Sequence, residues 1–330
     1  MNILVTGGTG FIGEYFIPQL LDKNHNVRLL VRNKDKAIKL FGDRCEYFVS
    51  DITDTKSLVG CCKDIDIVFH MVAKVGNELP NEKNMREFIK VNVDGTKNII
   101  EEAKRENIQR FIFVSSIAAM GIVNEKPITE KSKCDPYLPY QISKYEAEQI
   151  VLKESRENKF PAIIIRPTKV YGIGEHELSY NIIGKLCKKG VIPVIGKGES
   201  YNSNVYVTDL VQGLLSTLDK GKFGEIYILT AEDSIAMNKV IKIIGNILNK
   251  KVMCVQLPKG IMIILATFIE FFFLLIGKKP LVTKRNILAT ASDRIYDISK
   301  AKEELGYSPQ VSMEEGITKV IKWYKEENII

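Results

Sequence analysis

Tyr140 and Lys144 stand four residues apart in the stretch PYQISKYEAE. On a helix that spacing puts a phenol and an ammonium on one face, one turn apart, within reach of a single ligand. Spacing alone does not make them a catalytic pair. With 13 tyrosines and 37 lysines in the chain, random placement yields roughly one or two such pairs. There are two, the other being Tyr296 and Lys300 in YDISK, and only the surroundings can separate them.

A second chemical signal is TGGTGFIG, residues 6–13, where Gly7, Gly10 and Gly13 recur at every third position. After an apolar strand and at the start of a helix, glycines so spaced permit a tight turn. They also let backbone approach a pyrophosphate and let helix pack closely on strand. The helix N-terminus adds amide donors and a favourable dipole. The loop is therefore read as a dinucleotide site, with Gly7, Thr9, Gly10, Phe11, Ile12 and Gly13 as its contacts. NAD-preferring folds usually end the second strand on an acid that accepts from the ribose 2′-hydroxyl, whereas this chain has VRLLVRNKDK with Arg32. A guanidinium suits a 2′-phosphate, so NADP(H) is favoured over NAD(H). Stacking of Arg32 on adenine, tolerant of either cofactor, is the alternative.

The elements that must position these groups are legible as apolar runs. NILVT, VRLLV, EYFVSD, DIVFHM, RFIFVSS and AIIIR alternate with helical patterns such as FIGEYFIPQLLDK and MREFIKVNVDGTKNIIEEAKREN. Continuous rather than alternating apolar strands, separated by helices, predict a parallel sheet covered on both faces. The fold class is α/β, a doubly wound parallel sheet of the Rossmann type. After Arg166 the rhythm loosens towards helices with few clear strands. The expected division is a dinucleotide-binding domain of residues 1–166 plus 204–230 and a smaller, mostly helical substrate lobe of residues 167–203 plus 231–330.

A chain of 330 residues with 45% apolar content can bury a sizeable core. Its net charge is +7, yet lysines alternate with acids, as in EEAKRENIQR; that describes a solvated surface and no nucleic-acid face. Six cysteines without a CxxC pair and three isolated histidines argue against disulfides and against a metal site. MNILVTGG reaches glycine almost at once instead of running into a leader segment, so a reducing cytoplasm is the expected location.

Nine phrases follow one another along nearly the whole chain: TGGTGFIG, SDITD, VFHMVA, VNVDGTKNI, FVSSIAAMG, PYQISK, IIIRPTKVYG, NVYVTDLVQG and YDISKAKEELGYSP. In these the sequence resembles the extended short-chain dehydrogenase/reductase family, in its epimerase/dehydratase-like branch. The resemblance separates the two tyrosine–lysine pairs. The family's active pair follows the serine-bearing fifth strand, which is the place of Tyr140 and Lys144, 24 residues beyond Ser116. Tyr296 and Lys300 fall in the C-terminal phrase, where Asp297 or Ser299 would cap a helix.

The resemblance implies that Tyr140 is the general acid/base, its pKa drawn down from about 10 by Lys144 and by an oxidised nicotinamide. It implies that Lys144 also binds the nicotinamide ribose. Ser116, with Ser115 as the alternative, would hold the substrate oxygen. Asp51 and Ile52 resemble adenine contacts, and Ala73 and Pro167 resemble residues lining the cofactor. His70 and Asn92 are read as structural. Family members are often dimers through a helical contact that would include the Lys144 helix.

For the substrate, nucleotide-sugar members generally hold a diphosphate with arginines, one before the strand equivalent to NVYV and one before the DISKA-like phrase. GKGESYNSNVYV has none, and in ATASDRIYDISKA Arg294 follows Asp293 out of the usual order. Arg285 or a lysine could substitute. IMIILATFIEFFFLLI, residues 261–276, is apolar except for Thr267 and Glu270; as a helix of about 24 Å it falls short of a bilayer core of about 30 Å. Three roles stay open for it: lying on a membrane surface, covering an apolar substrate, or packing inside the lobe. With GKKPLVTKRNI it resembles the 3β-hydroxysteroid dehydrogenase-like, sterol-dehydrogenase-like and dihydroflavonol-reductase-like members. The expected activity is NAD(P)-dependent hydride transfer on a secondary alcohol or ketone of an apolar, sterol-like, terpenoid or lipid-linked substrate. A nucleotide-sugar epimerase or dehydratase with tightly bound NAD is the alternative reading, and a cofactor-sensing scaffold the non-enzymatic one.

Overall fold

The computed structural model describes residues 1–276 and 283–330. Strands β1 (Asn2–Thr6), β2 (Asn26–Val31), β3 (Glu46–Val49), β4 (Ile67–His70), β5 (Arg110–Val114) and β6 (Ala162–Pro167) join the strand Ile226–Leu229 in one sheet. Its order is Ile226–Leu229, β6, β5, β4, β1, β2, β3, and every pairing is parallel. The expected doubly wound sheet is present. The order reverses between β1 and β4, and crevices at such a switch point, outside the carboxyl ends of the strands, are where these sheets bind ligands.

Alternate residues of each strand feed two separate cores. Ile3, Val5, Phe69, Ile112 and Val114 pack with Phe16, Ile17 and Leu20 of the Phe11–Asp22 helix. Leu4, Val68, Phe111 and Phe113 pack on the other face with Ile99, Ile100 and Ala103, and with Ala147 and Val151 of the Pro139–Asn158 helix. Each fully buried aliphatic or aromatic side chain contributes roughly 1.5–3 kcal/mol. A sheet buried on both faces is why these strands read as unbroken apolar runs.

A third core gathers Tyr171, Tyr180, Tyr206, Ile244, Ile317 and Tyr324. Around it lie the helices Asn181–Lys189, Met237–Ile247 and Met313–Glu326. The C-terminal region is less purely helical than expected: Met253–Leu257 runs parallel to Val191–Ile195, and Ile235–Ala236 pairs with Tyr201–Asn202. The Met253–Leu257 strand escapes a pattern-based reading because four of its five residues are exposed.

The helix expected over MREFIKVNVDGTKNIIEEAKREN is interrupted. Residues Glu82–Phe88 and Gly95–Arg105 are α-helical, and Ile89–Asp94 between them is a π-helical turn. Inserted turns of this kind widen a helix locally. Here Asn92 accepts from the Lys74 amide (2.7 Å) and donates to the Lys74 carbonyl (2.9 Å) and to the Ser143 hydroxyl (2.8 Å). His70 is also structural, bridging the hydroxyls of Thr6 (2.9 Å) and Thr96 (3.0 Å), and burial lowers its pKa to about 3.

The apolar segment forms the helix Lys259–Leu275. Among the described side chains it does not enter a core: Ala266 is buried, while nine large apolar side chains from Ile261 to Ile276 are exposed. Gly277, Lys278 and Lys279 lie outside the described residues. Among the described residues, no helix is long and apolar enough to cross a membrane.

Candidate active site

β1 runs directly into the glycine loop. Gly7 has φ +77°, and a Cβ there would lie 2.6 Å from the Val72 backbone nitrogen beyond β4. That combination of positive φ and close backbone approach admits only glycine. The Phe11–Asp22 helix starts at Gly10 without a side-chain cap, so its first-turn amides are not satisfied from the chain's own side chains. A Cβ on Gly10 would meet only the Gly7 carbonyl oxygen, at 3.4 Å, so the space around it is otherwise open. Gly13 serves packing instead, since a Cβ there would fall 2.0 Å from the Gly8 oxygen.

A cleft of about 840 Å³ opens over this loop. It brings together Gly7, Thr9, Gly10, Phe11, Ile12 and Arg32, then Ala73 after β4, Ser115 and Ser116 after β5, Tyr140 and Lys144, and Pro167 at the end of β6. Three expected contacts are not among its walls. Gly13 lies beneath the loop. Asp51 turns its carboxylate to the Thr53 amide and hydroxyl (both 2.8 Å), which hold its pKa below the ordinary value, and it stands 4.0 Å from Arg32. Ile52 is a core side chain, close beneath Gly95.

The Pro139–Asn158 helix presents the proposed pair. Pro139 presets φ at the first helical position, and the Gln141 side chain reaches back to accept from the Tyr137 (3.0 Å) and Leu138 (3.2 Å) amides. This fixes Tyr140 in the first turn and Lys144 one turn later. The Tyr140 phenol and the Ser116 hydroxyl face the same cleft, close enough for Ser116 to lower the phenol's pKa. Ser116 also accepts from the Ala118 amide at 3.1 Å. Ser115 is buried, and its hydroxyl has no partner among the described residues.

The electrostatics differ from expectation. Burial pushes the Tyr140 phenol up to about 12; the nearby Ser116 hydroxyl opposes this and the Glu177 carboxylate adds to it. Lys144 is 2% exposed, and burial lowers it to about 7 against the opposing charge of Glu148. Its ammonium donates to the Val114 carbonyl at 2.8 Å and lies 4.4 Å from the Phe113 ring centroid. With protein groups alone, desolvation of the phenol outweighs any help from Lys144.

The second tyrosine–lysine pair is split. Lys300 binds Glu225 (2.6 Å) and the Ile226 carbonyl (2.7 Å), whereas Tyr296 lines the cleft. Asp297 accepts from the Ser299 amide at 2.8 Å just before the Ser299–Leu305 helix, whose N-cap position is Ile298 without a side-chain cap, so neither Asp297 nor Ser299 caps it. Tyr296, His176 and Glu177 are cleft residues that sequence reasoning missed. They arrive on the loop after β6 and on the C-terminal phrase, where no periodicity signals a destination. Arg294 also reaches the cleft, while Arg285 pairs with Asp135 (3.0 Å) over the Tyr137 ring.

These features have counterparts in known proteins. Residues 3–229 match the model of the NAD dependent epimerase/dehydratase family. A sterol-4-alpha-carboxylate 3-dehydrogenase, decarboxylating, from Dictyostelium discoideum is 29% identical, over 96% of this chain and 98% of that protein. A dTDP-D-glucose 4,6-dehydratase from Homo sapiens is 28% identical, over 98% and 90%. The crystal structure of gox2253 superposes with a TM-score of 0.83 at 28% identity and covers 99% of both chains. With the family model spanning the glycine loop, the Ser116–Tyr140–Lys144 cluster and the seventh sheet strand, the chain belongs to the NAD-dependent epimerase/dehydratase family and is an oxidoreductase of the extended short-chain type.

Proposed function

We propose that this oxidoreductase transfers a hydride between NADP(H) and a secondary alcohol or ketone carbon of an apolar substrate that is sterol-like, terpenoid or lipid-linked. The observation carrying this reading is the placing of Ser116, Tyr140 and Lys144 together in a cleft that is continuous with the glycine loop. Met120, Ile122, Val123, Ile128 and Leu138 line the same cleft and supply the apolar walls such a substrate needs. Residues 167–203 plus 231–330 serve as the substrate lobe and residues 1–166 plus 204–230 hold the cofactor. The working form is a cytoplasmic homodimer in contact with a membrane.

The loop suits a dinucleotide because Gly7 allows the tight turn against the Val72 backbone and Gly10 leaves the space beside it open, and Arg32 offers a guanidinium to a 2′-phosphate. When bound, the oxidised nicotinamide supplies the hydride acceptor and a positive charge beside the phenol. Ser116 holds the substrate oxygen. Tyr140 takes the hydroxyl proton as the alcohol becomes a carbonyl, and returns it in the reverse direction. A phenol near 12 is a poor base at neutral pH, so forming phenolate would draw on the positive charge of a bound oxidised nicotinamide and on the protonated fraction of Lys144. Replacement of Tyr140 by Phe should lower kcat by about 10²–10⁴ while leaving cofactor affinity within a few-fold, as read from nicotinamide absorbance during turnover of sterol and terpenoid alcohols. Equal turnover by Tyr140→Phe would remove the phenol from the mechanism.

A second reading rests on Arg294, which lines the cleft and makes no ion pair among the described residues. A guanidinium so placed suits an anionic substrate such as a nucleotide sugar. Sugar conversion without net change in nicotinamide absorbance would select this epimerase or dehydratase chemistry.

A further inference from the structure

The Lys259–Leu275 helix carries its apolar residues outward. At 100° per residue, Ile261, Ile264, Leu265, Phe268, Ile269, Phe271, Phe272, Leu275 and Ile276 fall within one arc of about 160°, and all nine are exposed, Phe268 at 69% and Leu275 at 68%. The opposite arc holds Met262, Ile263, Ala266 and Glu270, none of them exposed. The one hydroxyl, Thr267, is satisfied by the Ile263 carbonyl at 2.8 Å. A contiguous apolar face of this extent marks a surface for another body.

Charge identifies that body. Residues 250–285 contain seven basic residues and a single acid, Glu270. Glu270 accepts from the Lys284 amide at 3.1 Å, while Lys250, Lys251, Lys259 and Lys284 are exposed. An apolar face carried in a lysine-rich stretch of chain suits an anionic bilayer, the aromatic and aliphatic side chains meeting the acyl boundary while the basic charge of the stretch draws the protein to anionic headgroups. A second copy of this chain would set the same lysines against each other.

We infer that the outward face of the Lys259–Leu275 helix docks the protein on anionic membrane, with the cleft mouth close to the lipid so that apolar substrate passes between bilayer and active site. The inference rests on the apolar-substrate reading for its purpose but not for its docking. The docked helix packs against Lys284–Thr290, whose Ala289, followed by Ser292, lines the cleft. One helix thus separates the lipid-facing surface from the substrate space.

The test is flotation of the full chain with vesicles of phosphatidylcholine alone and of phosphatidylcholine with phosphatidylglycerol, at low and high salt. Association should occur with the anionic vesicles, fall with salt, and drop at least tenfold in Phe268→Glu/Phe272→Glu, a variant whose changes lie on exposed side chains and whose cofactor binding should be unaltered. Equal association of variant and wild type, or none by wild type, overturns the inference. So does a wild-type dimer that the double substitution converts to monomer without any vesicle binding, which would assign the face to a second copy. Vesicle association without turnover of any apolar alcohol would sink the substrate reading and leave the docking standing. Turnover of detergent-dispersed sterol without vesicle association would do the reverse.

Discussion

Replacing Lys144 by methionine tests the buried ammonium directly. In the folded protein Lys144 loses its proton near pH 7, whereas in the unfolded chain it keeps it to about 10.5. Between those values the unfolded state binds more protons, so wild-type stability rises with pH. Its folded pKa is depressed; the associated stability is fully present above 10.5 and is lost as pH falls towards 7. Methionine does not titrate. Every other titrating group is common to the two proteins, and the loss of the Val114 hydrogen bond (2.8 Å in the wild type) is independent of pH in the variant. A one-proton difference between the folded and unfolded states changes stability by about 1.36 kcal/mol for every pH unit. The destabilisation caused by Lys144→Met should therefore grow by roughly 2 kcal/mol from about pH 7.5 to about pH 9.5. Urea unfolding of both proteins at several pH values, compared as a difference at each, reads this growth. Parallel curves would refute the reasoning, because they would mean that the Val114 carbonyl and the Phe113 ring hold the ammonium charged as well as water does.

Exchange of Arg32 for Asp should weaken NADP(H) binding about ten- to a hundredfold by calorimetry and NAD(H) binding far less; equal loss of both would remove the role assigned to a 2′-phosphate. Arg166 and Glu148 form a buried bidentate pair at 2.9 and 2.6 Å, with Glu148 fully buried on the Lys144 helix. Arg166→Met strands that carboxylate and should cost about 3–5 kcal/mol in urea unfolding, much of it recovered in Arg166→Met/Glu148→Leu. Failure of the second substitution to recover stability would show that the arginine acts through packing.

The sequence by itself determined the sheet and the loop. Strands buried on both faces must be apolar throughout, and a turn in which a Cβ at position 7 would fall 2.6 Å from the Val72 nitrogen must be glycine, so both leave marks that survive without coordinates. The helix start at Pro139 and the four-residue spacing of Tyr140 and Lys144 are equally local. Tertiary structure alone decided what those residues experience. The direction in which the Tyr140 pKa moves comes from burial under distant elements, and the partner of Lys144 is a carbonyl thirty residues away on β5. It also decided that Ile52 faces a core rather than the cleft, that Tyr296 and Lys300 part company, and that Arg294 reaches the cleft. The helix of residues 261–276 shows the boundary most clearly: its composition fixes that it is apolar, but only the packing of Ala266 inward and Phe268 outward settles which way that surface faces. Such outcomes depend on contacts between residues far apart in the chain, and no local spacing encodes them.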